Sequence, residues 1–157
     1  MPTYEQPLDD TLVLRAVRNE QDMEKYHALY VSLGRETGGR SCSLMMHHHP
    51  EMSPDDFLFV EDERDGQVVS TTCLIPWHCR YEDISLDVAM LEAVTTHPEY
   101  RHRGLIRAQV QRFHEMVDER HYDLSIIQGI PYYYRQYGYS YALDCYPTDS
   151  LPAWRIT

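Results

Sequence analysis

The sequence predicts an α/β domain (α+β in the looser usage), a mixed central β-sheet flanked by helices. Three features carry that expectation. The run "ISLDVAMLEAVTT" leads through a helix into a second apolar strand, "YDLSIIQ", and a strand–helix–strand order implies a parallel crossover. Between those runs Ile106, Val110, Phe113 and Val117 recur at i, i+4, i+7 and i+11, which is one face of an amphipathic helix. Upstream, Asp65-Gly66 separates two strand-like halves of "DFLFVEDERDGQVVSTTCLIP", the signature of an antiparallel hairpin.

The remaining elements follow in order. "TLVLRAV" (Thr11 to Val17) reads as the first strand. Asn19 stands where a helix N-cap belongs, and Met23, Tyr26, Leu29, Tyr30 and Leu33 follow at helical spacing. Gly34, Gly38, Gly39 and then "HHHPEMSP" predict that this helix gives way to a loop-rich segment. The strand "ISLDVAMLEAVTT" stops at His97-Pro98, because a residue before proline favours extended geometry. Arg120 and His121 suit the negative C-terminal end of the following helix. In "PYYYRQYGYSYALDCY" a short helix from Pro131 is expected to stop near Gly138 and be followed by a strand. Without repeat, low-complexity tract or linker, residues 1–157 read as a single domain, complete or as the N-terminal domain of a longer protein.

Composition narrows the function. A net charge of −11 argues against a nucleic-acid or anionic-membrane surface, since phosphate arrays reward spread positive charge. No apolar run has membrane-span length, and the N-terminus lacks a basic, apolar leader. Cys42, Cys73, Cys79 and Cys145 form no CxxC, so free thiols in a reducing cytoplasm are expected.

Against that acidity, "EYRHRGLIRAQ" stands out. A strand ends, a glycine follows, and a helix begins at Gly104 with Arg101, Arg103 and Arg107 around it. Unpaired N–H groups and the positive dipole end meet at such a start, glycine keeps the backbone bare, and guanidinium groups suit phosphate oxygens. A compact polyanion fits this turn; a solvated helix end with scattered arginines is the plainer alternative. It matches neither GxxxxGK[ST] nor GxGxxG.

"LEAVTTHPEYRHRGLIRAQ" resembles motif A of the GNAT superfamily of acyltransferases, [R/Q]-x-x-G-x-[G/A] between a strand and a helix. Arg101 and Gly104 match, and Ile106 departs from the small last position. "YYYRQYGYSYAL" resembles the family's Tyr-x-x-[Phe/Tyr]-Gly-[Phe/Tyr] segment. Together with "RHRGLIR" the pair is most similar to the branch of enhanced-intracellular-survival acetyltransferases.

The resemblance implies the GNAT fold from about Leu12 onward and acetyl-CoA as cosubstrate, with no metal. It implies that backbone groups of Val94, Thr95 and Thr96 hold the pantetheine arm, and that amides of His102, Arg103, Gly104, Leu105, Ile106 and Arg107 cradle the pyrophosphate beside Arg101. Val94 N–H would stabilise the oxyanion of a thioester under direct attack by an amine. Tyr134 aligns with the family's general-acid tyrosine, with Tyr133 and Tyr137 as the neighbours one register away; a phenol is protonated at neutral pH and can donate to a thiolate. Glu92, placed by strand alternation on the face of Val94, is either the base, an anchor for a cationic acceptor, or a carboxylate paired with an arginine. The acceptor would be a small-molecule or peptide amine, the location cytoplasmic, and a homo-oligomer stays open. A CoA-binding sensor module without catalysis is the rival reading.

"MMHHHP" does not read as a metal site, because consecutive side chains in regular structure cannot all face one ion. His47, His48 and His49 are expected on an acceptor-side loop, with a metal-binding protein as the other rival. The chain stops at "LPAWRIT", where members of the similar branch continue into further domains; a fragment, or an acceptor site built differently, is expected.

Overall fold

The computed structural model describes residues 4–142. The chain divides into two compact units, Met1–Ile127 and Gln128–Thr157.

In the first unit a six-stranded sheet has its strands in chain order: β1 (Glu5–Pro7), β2 (Leu12–Ala16), β3 (Phe57–Asp62), β4 (Gln67–Tyr81), β5 (Ile84–Thr96) and β6 (Leu124–Ile126). All neighbours run antiparallel except β5 and β6, which are parallel. The mixed sheet and its crossover are therefore as expected. Sequence pattern missed β1, which is exposed throughout and held by backbone pairing with β2; three polar or proline residues carry no alternation to read. Pro7 is tolerated there because an edge strand need not donate on its outer side.

Helices cover both faces. Helix α1 (Glu20–Ser32) buries Met23, Tyr26, Leu29 and Tyr30, and the Asn19 side chain accepts from Asp22 N–H as its cap. Replacing that cap, Asn19→Ala, is expected to cost about 1 kcal/mol in chemical denaturation. Tyr26, Tyr30, Phe57, Phe59, Cys73 and Ile75 share one core cluster on this side. Period-two alternation turns Leu58, Val60 and Leu74, buried as well, to the other face. There α3 (Leu105–Glu119) buries Leu105, Gln109, Val110, Phe113 and Met116 and contacts β3, β4 and β5. Its apolar stripe is rotated from the expected one: Ile106 and Val117 are only half-buried.

The loop expected after Gly34 is a second helix, α2 (Glu36–His48). Gly34 does end α1, at φ 67°. Gly38 and Gly39, however, serve helix packing: a Cβ on Gly39 would lie 2.3 Å from His27 Cδ2 and 2.9 Å from Tyr30 Cβ. Their job is close approach of α1 and α2, which sequence alone cannot distinguish from helix breaking. His47 and His48 accordingly sit in the last turn of α2 and His49 at its C-cap, so the histidine-bearing segment is a helix end where a loop was expected. His47 Nε2 lies 3.3 Å from Glu20 Oε1.

The hairpin forms at Asp65-Gly66, with Gly66 at φ 71°. Beyond Phe57–Cys73 the pairing of β3 with β4 ends, while β4 runs on to Tyr81; Pro76 falls in this stretch, where a missing N–H breaks no ladder with β3. His78 bridges Asp87 on β5 (Nδ1 to Oδ1, 2.6 Å) and Glu51 after α2 (Nε2 to Oε1, 2.8 Å). Glu51 first, then Asp87, raises its pKa above the ordinary 6.5. The charged form is the one held in the fold, so its contribution is complete below the unfolded value and fades as pH rises through the higher folded one. Melting temperature is expected to decline with pH above about 6.5 in the wild type and to decline less in His78→Asn.

Candidate active site at the β5 bulge and the following turn

Strand β5 carries the first part of the site. Its register against β4 runs Cys73–Glu92 and then Thr71–Thr95, so Thr72 alone faces both Ala93 and Val94, a β-bulge. Ala93 takes φ 57°, and its carbonyl accepts from Tyr30 Oη at 2.8 Å and Thr71 Oγ1 at 3.0 Å. The bulge breaks the alternation on which Glu92 and Val94 were expected to share a face. Glu92 is half-buried, and Ala93 N–H donates to its Oε2 at 3.4 Å. Among the described residues no arginine, lysine or histidine forms an ion pair with it.

Ahead of the bulge β5 has already parted from β6. Their pairing ends at Met90–Ile126, while β5 continues through Val94, Thr95 and Thr96. The end of the strand is tied to the helix that follows. Ser70 Oγ donates to Thr95 O at 3.0 Å and lies 2.8 Å from Thr96 Oγ1, and Gln109 Nε2 donates to Ser70 Oγ at 2.6 Å. Gln109 is fully buried. A polar residue on the apolar stripe of α3 was the one sequence signal for this tie, and it was missed. The strand–helix distance is thus set by a buried polar network, which resists small shifts because each group would lose its partner.

The turn itself runs from His97 to Gly104. Pro98–Tyr100 forms a short 3-10 helix, anchored where Tyr100 Oη donates to Asp62 Oδ2 at 2.8 Å. His102 (φ 63°) and Gly104 (φ 77°) are both left-handed, and Gly104 is the N-cap of α3 without a side-chain cap. The first N–H groups of α3, from Leu105 through Arg107, have no acceptor within the helix by its geometry. A Cβ added to Gly104 would meet no atom within 4 Å. Arg101, His102 and Arg107 are exposed, Leu105 is buried and Ile106 half-buried. Arg103 pairs with Asp9 at 2.8 Å and lies 5.4 Å over the Tyr100 ring. Hydrogen bonds from Thr11 first, and from Leu12 and Arg103 as well, hold the Asp9 carboxyl down at about 2. A groove of about 520 Å³ between α1, the β3–β4 turn and His97–Tyr100 adjoins this turn without being lined by its arginines.

In the second unit Tyr134 lies in a 3-10 helix, Tyr133–Tyr137, closed by Gly138 at φ 91°. It is 8% exposed, against 36% for Tyr133. Its ring sits edge-on to Tyr133 and Tyr139, at 4.9 and 6.1 Å between centroids, and against Gly129, whose added Cβ would come within 2.3 Å of it. Residues 139–142 are not in a strand; the rest of the strand expected after Gly138, and Cys145, lie outside the described residues. Among the described residues no three His, Cys, Asp or Glu side chains come together as a metal site, and no helix is long and apolar enough to cross a membrane.

Comparison with known proteins agrees with this fold. The family model "Acetyltransferase (GNAT) domain" matches residues 15–142. No curated relative matches the sequence. Among solved structures, a GNAT family N-acetyltransferase (YhbS) from Escherichia coli in complex with CoA is similar at TM-score 0.70 and 17% identity, over 87% of this chain and 72% of that one. A GNAT family acetyltransferase from Brucella melitensis in complex with acetyl-CoA is similar at TM-score 0.67 and 14% identity, over 85% of each chain. The Eis1 protein from Mycobacterium abscessus is similar at TM-score 0.60 and 13% identity, over 82% of this chain and 31% of that one. With the family model spanning β2 through the tyrosine helix, this chain belongs to the GNAT acetyltransferase domain family.

Proposed function

We propose that the domain transfers an acetyl group from acetyl-CoA to a primary amine by direct attack. One observation carries the reading: a bulged strand parts from its parallel neighbour and runs, through a left-handed glycine, into an uncapped helix N-terminus. An extended arm with a pyrophosphate at one end and a thioester at the other fits that sequence of features. Val94, Thr95 and Thr96 pair with the pantetheine amides; the amides of His102 to Arg107 receive the pyrophosphate, with Arg101, Arg103 and Arg107 supplying charge. The neutral amine attacks the thioester carbon, a C–N bond forms and the C–S bond breaks. Val94 N–H stabilises the developing oxyanion, worth about 3 to 4 kcal/mol for a well-placed donor. Tyr134 protonates the leaving thiolate. Glu92, which has no arginine partner among the described residues, takes the ammonium proton directly or through water, or anchors a cationic acceptor.

The arginine-rich turn supports a reading in which the domain is related to the enhanced-intracellular-survival branch, and the acidic chain suits a small-molecule or peptide amine in the cytoplasm. A thermal-shift screen with acetyl-CoA followed by an amine panel, read as release of CoA thiol, tests all of this. Stabilisation with amine-dependent thiol release is the expected result. Stabilisation without release from any amine would instead favour a CoA-binding sensor.

A further inference from the structure

A non-glycine residue at φ 57° inside a strand, as Ala93 is, persists only where its surroundings hold it. Ala93 is held by its carbonyl. Tyr30 Oη and Thr71 Oγ1 both reach it, and the two hydroxyls lie 3.3 Å from each other. A carbonyl oxygen has two lone pairs, so both protons can be given to it at once. Both donors are buried, Thr71 fully; Tyr30 stacks on Tyr26 at 5.9 Å between centroids, and Tyr26, fully buried, donates to Thr72 O at 3.2 Å. Burial pushes the Tyr30 phenol well above its ordinary range, so it remains a proton donor at any pH the protein meets.

The consequence falls on the next residue. In a trans peptide the carbonyl and the N–H of one unit point in opposite directions. Turning the Ala93 carbonyl in toward α1 turns Val94 N–H outward, away from α1. We infer that Tyr30 and Thr71 are positioning residues of the transfer reaction, whose hydroxyls fix the Ala93–Val94 peptide so that Val94 N–H faces the thioester carbonyl. The inference rests on the proposed role of Val94. It gives α1, remote in sequence, a direct hold on the reacting centre. Without the two donors, Ala93 relieves its strain by rotating this peptide, and the N–H loses its aim.

Tyr30→Phe and Thr71→Val each remove a hydroxyl and keep the shape. Two readouts apply to the full chain: the amide resonance of Val94 in the ¹⁵N-labelled protein on saturation with acetyl-CoA, and steady-state thiol release. The expected result is a large Val94 shift in the wild type that collapses in the double variant. With it, kcat falls about 3- to 10-fold in each single variant and about 10²-fold in the double, near the full loss of one oxyanion donor, while Kd for acetyl-CoA stays within about twofold. Either single variant carries the test if the pair does not fold. An undiminished Val94 shift in the variants, with rates falling only as the folded fraction falls, overturns the inference and leaves the site standing. No Val94 shift in the wild type overturns the placement of acetyl-CoA, and this inference with it.

Discussion

Gly104→Glu is expected to abolish measurable acetyl-CoA binding while leaving the domain folded. The carboxylate would stand at the N-terminus of α3, where the pyrophosphate is proposed to approach, and would add like charge to the first turn. Crowding at the Cβ does not account for the loss, since an added Cβ meets nothing within 4 Å. It can come in part from the backbone: φ is 77° there, a conformation that costs a non-glycine residue roughly 1 kcal/mol. Gly104→Asn separates the two causes, because asparagine tolerates the left-handed region and brings no charge. Calorimetry is expected to find Gly104→Asn binding within about tenfold of wild type, a backbone term of about 1.4 kcal/mol or less, and Gly104→Glu not binding at all. Arg103→Ala and Arg107→Ala should each weaken binding by about 1 to 3 kcal/mol at most and lessen its salt dependence. Full-strength binding by Gly104→Glu would remove the pyrophosphate from this turn.

That turn was legible in the sequence because its signals are local. Gly104 announces a bare-backbone helix start, the arginines announce the charge, and His97-Pro98 ends the strand before them. What holds the turn was not legible. Ser70 and Gln109 join the strand end to α3 from 39 residues apart in the chain, and no spacing rule relates them. The bulge is a sharper case. "LEAVTT" reads as plain alternation, which put Glu92 and Val94 on one face; only the pairing with Thr71, Thr72 and Cys73 reveals the extra residue. Tyr30 was read correctly as a core position from its helical spacing, yet its hydroxyl's target, 63 residues away, has no local signature. Gly38 and Gly39 misled for a related reason. A glycine marks either a break or a close contact, and the contact is made with another helix.

Tyr134→Phe is expected to leave acetyl-CoA affinity nearly unchanged and to lower turnover about 10²- to 10⁴-fold, the usual range for loss of a general acid. Tyr134 packs edge-on to Tyr133 and Tyr139 and against Gly129, contacts that phenylalanine keeps. A purely packing role predicts the reverse: little change in rate per folded molecule whatever happens to stability. Burial also orders the neighbours. Tyr134 is the buried residue of the 3-10 helix and Tyr133 is 36% exposed, so Tyr133→Phe and Tyr137→Phe serve as register controls with turnover expected within about threefold of wild type. Kinetics beside a melting curve decides between them. Near-normal turnover in Tyr134→Phe with a large loss in either control would move the acid to that neighbour. Full turnover in all three would leave the thiolate without a tyrosine donor; CoA would then depart as the free anion or take its proton from water.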